Sequence, residues 1–345
     1  MVRPHYDLVF FVGESNAVQY ALSKYKQYRA QDKTVLLVVL RKSQYQFIQS
    51  LNLKAEVLYL HEAQSYAFRN PFKILYYKMY YLYFYYRYLR GIQGSDIYFT
   101  TIIYAWLVYG YLHRLYQHNT VIWLDYITYQ RAMCQDISGL SFKHRLYQKI
   151  NQWFAFSWCT SVIIRDLPTV LLDYQRYNIF KEKAEEDASI FSEFSISIGS
   201  LENKAILVLD SGHAQDRILQ NYKQTMTMLV NTMTNENITV YIKEHPNVEN
   251  QLNWVEGTYL KKLPYYIPAE FIDISGFSAV IGLYSTALAN FSKRETIPVY
   301  SWMDLFEYKP KESDSSLGYD EWKQFILEES DHKIKFISSL DFIEM

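Results

Sequence analysis

Continuous apolar runs alternate with helix-like polar–apolar segments from the first residues onward. "DLVFFVG" (7–13) leads into "ESNAVQYALSKYKQY" (14–28), and "TVLLVVL" (34–40) into "SQYQFIQSL" (43–51). "AEVLYL" (55–60), "DIYFTT" (96–101), "TVIWLD" (120–125) and "TSVIIRD" (160–166) continue the series. Val/Ile/Leu strands with no polar alternation, separated by helices, predict a parallel sheet covered on both faces. The pattern breaks at the charged "KEKAEEDAS" (181–189) and the Ser/Gly/Asn-rich "SEFSISIGSLENK" (192–204), so a linker is expected near 190–203. Alternation then restarts. "AILVLD" (205–210) is followed by a helix across 214–234, "ITVYIKEHP" (238–246), a short "YLKKLP" segment (259–264), "PAEFI" (268–272), "FSAVIGLYS" (277–285) and "TIPVYSW" (296–302). The pattern predicts two α/β halves with a cleft between them.

Composition narrows this only slightly. At 345 residues there is length for two domains, and a net charge of −1 gives no field favouring nucleic acid. Two cysteines, Cys134 and Cys159, make neither a metal-ligand nor a disulfide pattern, which suits a reducing compartment. The start reads as a buried strand rather than a signal peptide. The uncharged, aromatic-rich run Ile97–Leu112 is shorter than the roughly 20 apolar residues of a spanning helix and holds four tyrosines, so a soluble cytoplasmic protein is expected. Tyrosine is abundant, 34 in all, and concentrates in "YYKMYYLYFYYRYLR" (76–90). That helix is either packed on several sides, with its hydroxyls reaching solvent, or an aromatic surface for lipid headgroups or a glycan acceptor.

Several candidate chemical groups follow strands of the second half. Lys243 and His245-Pro246 end one strand; Glu270 follows Pro268; Ser285-Thr286 precede a helical run. Singly, these are a turn histidine, a surface acid and an N-cap. Together they suit a nucleotide: an acid for ribose hydroxyls, hydroxyls and a helix N-terminus for phosphate, and a histidine to offset charge on a departing phosphate.

His-Pro, an acid in "PAEF" and a hydroxyl pair before a helix resemble bacterial sialyltransferases and polysialyltransferases of the GT-B type. The resemblance implies two Rossmann-like parallel-sheet domains facing a central cleft: an acceptor-side domain, 1–195, carrying the general base, and a CMP-sugar-binding domain, 204–345, whose final helix packs back on the first. It implies an inverting, metal-independent transfer of a nonulosonic acid from a CMP-activated donor to a glycan hydroxyl, with no cofactor, no nucleic-acid partner and peripheral contact at the inner membrane face. His245 is then the general acid or phosphate stabiliser, and Lys243, Pro246, Glu270, Ser285, Thr286, Asp210 and Gly212 are donor contacts. Glu14, Ser15 and Asn16 form an acceptor-side loop, for which a plain capped turn is the equal alternative. Asp125, ending an apolar strand, is the best match to the family's base, although Tyr126-Ile127 replaces the expected second acid and glycine. Asp210 in "LDSGH" is the rival base. No Asp-x-Asp pair or His cluster suggests a metal. Remaining alternatives are a CMP-Kdo or CDP-polyol transferase, a UDP-sugar 2-epimerase-like isomerase, and an inactive glycan- or membrane-binding protein.

Overall fold

The computed structural model describes residues 5–13, 16–61, 71–100, 111–112, 114–125, 134–135, 142, 172–173, 178–185, 187–199, 201, 204–211, 219–220, 222–245, 252–294, 296–309 and 318–339. The chain divides into two units, Met1–Ile190 and Phe191–Met345.

The first unit runs β1 (Leu8–Val12), α1 (Ala17–Arg29), β2 (Val35–Val39), α2 (Lys42–Ser50), β3 (Glu56–Tyr59), α3 (Pro71–Phe84), β4 (Asp96–Thr100), β5 (Thr120–Asp125), β6 (Cys134–Gln135), β7 (Leu172–Asp173) and β8 (Ile179–Lys183). Its main sheet has the order β3-β2-β1-β4-β5-β8 and every pairing is parallel. All five residues of β1 and of β2 are buried, as continuous apolar strands covered on both faces must be. The charged β8 closes one edge, where lysines and a glutamate discourage further pairing. The expected strand at 160–166 lies outside the described residues.

The second unit follows with α4 (Ser189–Glu193), which begins just before the division, then β9 (Ala205–Leu209), β10 (Leu219–Gln220), α5 (Tyr222–Asn235), β11 (Thr239–Lys243), β12 (Leu260–Lys262), β13 (Ala279–Gly282), α6 (Thr286–Arg294), β14 (Val299–Ser301), β15 (Glu307–Tyr308), α7 (Tyr319–Glu329) and β16 (Lys335–Phe336). Its sheet, β12-β11-β9-β13-β14-β16, is again parallel throughout. Both orders are the doubly wound 3-2-1-4-5-6 order of dinucleotide-binding folds, so the two Rossmann-like sheets expected of a GT-B chain are present. In such sheets ligands bind beyond the carboxyl ends of the strands, where the order reverses; here that is between β9 and β13. The last described helix, α7, packs within its own unit, with Trp322 stacked on Tyr284 at 4.3 Å.

The tyrosine-rich helix is packed on one side, not several. Tyr81, Phe84 and Leu89 are buried with Phe11 and Tyr111, while Phe72, Tyr76, Met79, Tyr83 and Tyr86 stand exposed. Its last turn is a π-helix over Tyr85–Leu89, closed by Arg90 N–H donating to the Tyr85 carbonyl at 2.8 Å.

Candidate functional site

Three central strands of the second sheet end level with one another. Lys243 of β11 and Gly282 of β13 both pair with Leu209 of β9, so at the usual strand spacing of about 4.8 Å they flank it across about 10 Å. The residues that continue each strand therefore emerge side by side: Asp210 after β9, Glu244 and His245 after β11, and Ser285 three positions beyond Gly282. The Asp210 N–H donates to the Lys243 carbonyl at 3.0 Å, carrying the pairing one residue further.

A layer of charge is buried beneath this edge. Lys243 is 2% exposed; its ammonium donates to the Glu244 carbonyl and, at 3.2 Å, to that of Tyr265. Burial pushes it from the ordinary 10.5 down to about 8, against the pull of the Glu270, Glu244 and Asp210 carboxylates. Asp210, also buried, accepts from the Tyr222 hydroxyl at 2.5 Å and from the Trp254 indole N–H at 3.2 Å. Glu244 is buried too: Oε2 lies 3.5 Å from the Lys262 ammonium, and Oε1 has no hydrogen-bond partner among the described residues. Lys243 and Asp210, expected as donor contacts and Asp210 also as a rival base, are both buried at this edge and held by protein partners, as a charge under a sheet edge must be to be stable.

Beside this layer lie His245 and a half-buried Glu270. His245 is exposed. Glu270 sits in a single 3-10 turn, Ala269–Phe271, entered through Pro268, whose φ of −62° suits its ring. Burial raises the Glu270 carboxyl above its ordinary value, opposed by its own backbone N–H, Lys243 and Arg294. Arg294, at the end of α6, donates to the Glu270 carbonyl at 2.5 Å, and its guanidinium lies 4.7 Å over Phe191 and 5.0 Å over Phe291. Arg294 thus ties the acidic turn to α6.

Ser285 is the N-cap of α6: its Oγ accepts from the Leu288 N–H at 3.1 Å and its carbonyl from the Ala289 N–H at 3.1 Å. Thr286 is the first helical residue and is partly exposed. Gly282 allows α6 to approach, since a Cβ there would stand 3.3 Å from the Leu209 Cβ and 3.5 Å from both Leu288 methyls. The first turn of α6, with N–H groups lacking helical acceptors and the positive end of the dipole, is thereby fixed against the sheet edge.

In the first unit, Asp125 is the last residue of β5, its backbone in register with Lys183 of β8. Asn16 starts α1 without a side-chain capping bond. Glu14, Ser15, Gly212 and Pro246 lie outside the described residues. Sequence reasoning did not anticipate Tyr222, Trp254, Tyr265 or Arg294. Each comes from a different segment, and no local signal marks them.

Neither a family model nor a curated protein matches the chain. Among solved structures, the glycotransferase of kitacinnamycin aligns with a TM-score of 0.48 at 11% identity, over 100% of this chain and 88% of that one. The spinosyn rhamnosyltransferase SpnG, complexed with spinosyn aglycone, gives 0.43 at 10% identity over 98% and 88%. A putative UDP-N-acetylglucosamine 2-epimerase from Listeria monocytogenes gives 0.41 at 11% over 96% and 89%. None of the three carries a substrate across to this chain.

Proposed function

We propose that the carboxyl edge of the second sheet is the leaving-group side of a glycosyltransferase that uses a nucleotide-activated sugar, with a CMP-linked nonulosonic acid as donor and a glycan hydroxyl as acceptor. The observation behind the reading is the gathering of His245, Glu270 and the capped start of α6 beyond the level ends of β11, β9 and β13. Glu270 accepts from the ribose hydroxyls. The Thr286 hydroxyl, the Ser285 hydroxyl hydrogen and the first-turn N–H groups of α6 take the phosphate, which the helix dipole favours. Lys243, fixed below, keeps positive charge beside Glu270 without touching the ligand.

In the transfer, the acceptor oxygen bonds to the anomeric carbon while the bond from that carbon to the phosphate oxygen breaks. The electron pair leaves with CMP, and His245 donates to the phosphate as its charge grows. On this reading Asp125 takes the acceptor's proton, and attack from the face opposite the nucleotide inverts the anomeric centre. The same nucleotide edge serves a CMP-Kdo or CDP-polyol donor, so the sugar is fixed by a donor panel.

The test is CMP binding by calorimetry, with turnover of CMP-sialic acid, CMP-Kdo and CDP-polyols in the presence of glycan acceptors. CMP binding is expected, weakened about tenfold in Glu270→Gln, and turnover is expected to fall about 100-fold in His245→Ala. Full activity in Asp125→Asn removes that residue as base. Absence of CMP binding rejects the donor, and turnover of a UDP-sugar without acceptor assigns an isomerase instead.

A further inference from the structure

The outer face of α3 plays no part in the reaction above, yet its composition is the most unusual on the molecule. Phe72, Tyr76, Met79, Tyr83 and Tyr86 recur at alternating intervals of four and three, so they form one stripe about 21 Å long. All five are 58% to 82% exposed. The opposite face is anchored: Tyr81 and Phe84 are buried, the Tyr81 hydroxyl donates to the His61 carbonyl at 3.1 Å, and the Tyr111 hydroxyl donates to the Tyr81 carbonyl at 3.2 Å. The stripe is therefore held outward on a fixed helix.

Charge identifies what it meets. Between Glu62 and Asp96 the sequence holds five basic residues and no acidic one, in a chain whose net charge is −1. Arg87 and Arg90 are exposed at the end of the stripe, with the Arg90 guanidinium 5.4 Å over the Tyr86 ring. Pairing two such stripes in parallel sets Arg87 and Arg90 of one copy against those of the other, and in neither orientation does the segment offer a carboxylate to pair with them. An anionic lipid surface satisfies both features at once. Its headgroups pair with the arginines, its acyl boundary takes Phe72 and Met79, and tyrosine hydroxyls stay at the wet level while their rings sink.

We propose that α3 is a membrane-surface helix that docks the first unit on anionic bilayers through Phe72, Tyr76, Met79, Tyr83 and Tyr86, with Arg87 and Arg90 contacting the lipid phosphates. The proposal is independent of the donor, since its readout involves no nucleotide.

Co-sedimentation of the full chain with phosphatidylcholine vesicles, with and without phosphatidylglycerol, tests it. Binding is expected to the anionic vesicles, to weaken as salt rises, and to fall about tenfold in Phe72→Ser/Met79→Ser and in Arg87→Gln/Arg90→Gln. All four positions are exposed, so unchanged circular dichroism and melting temperature are expected alongside. Equal vesicle binding by wild type and the Phe72→Ser/Met79→Ser chain overturns the proposal. So does a wild-type dimer in light scattering that this variant makes monomeric, with no vesicle binding by either.

Discussion

At the residue scale, the second unit separates charges that hold the sheet edge from groups that face solvent. Lys243 belongs to the first kind, and its titration gives a signed consequence. Its folded value near 8 lies below the ordinary 10.5, so between these values the unfolded chain binds more protons and stability rises with pH. Between about pH 8 and 9 the wild type is expected to gain about 1 kcal/mol relative to Lys243→Met in urea denaturation, a difference from which tyrosine ionisation, common to both chains, cancels. The same pH dependence in the two chains rejects the assignment. Ser285 and Thr286 differ in the same spirit. Ser285→Ala removes the bond to the Leu288 N–H and is expected to cost about 1 kcal/mol in the same assay. Thr286→Ala removes no cap and is expected to leave stability unchanged within about 0.5 kcal/mol while weakening CMP binding. Equal losses of stability in the two variants would contradict the capping role.

At the element scale, the approach of α6 to the end of β13 sets the geometry of the edge. The Leu209 Cβ is fixed by its own backbone and cannot rotate away from a side chain added at position 282. Gly282→Val is therefore expected to destabilise by about 2 kcal/mol and to weaken CMP binding by displacing the first turn of α6. A stability loss with undiminished CMP affinity would show that α6 does not position the ligand. The strands at this edge were legible in advance because β9 and β13 are buried throughout and read as unbroken apolar runs, while β11 carries Val240, Tyr241 and Ile242 between its polar ends. β8 was not, since an edge strand carries Lys181, Glu182 and Lys183 where a central one carries valine. The two-residue β16 is too short for any period to show. His245, Glu270 and Ser285 were visible as punctuation after strands; which neighbouring charges turn inward was not. That outcome is decided by Trp254, Tyr222 and Tyr265, which reach the edge from separate segments.

At the scale of the whole molecule, both units use the same strand order although the sequence shows no repeat. Two stretches of unrelated sequence thus arrive at one doubly wound order. The order also has a consequence for how the chain is made. Each sheet is built outward from its first strand, so β1 ends in the middle of a sheet whose other half does not yet exist when it is synthesised. On one side Leu8 pairs with Val35, 27 residues later; on the other it pairs with Asp96, after 88 residues. At about 5–20 residues per second, the second edge of β1 stays open on the ribosome for about 4 to 18 s. The second edge of Leu8–Val12 therefore stays without its partner strand until 88 further residues have been made, long after its first edge can close.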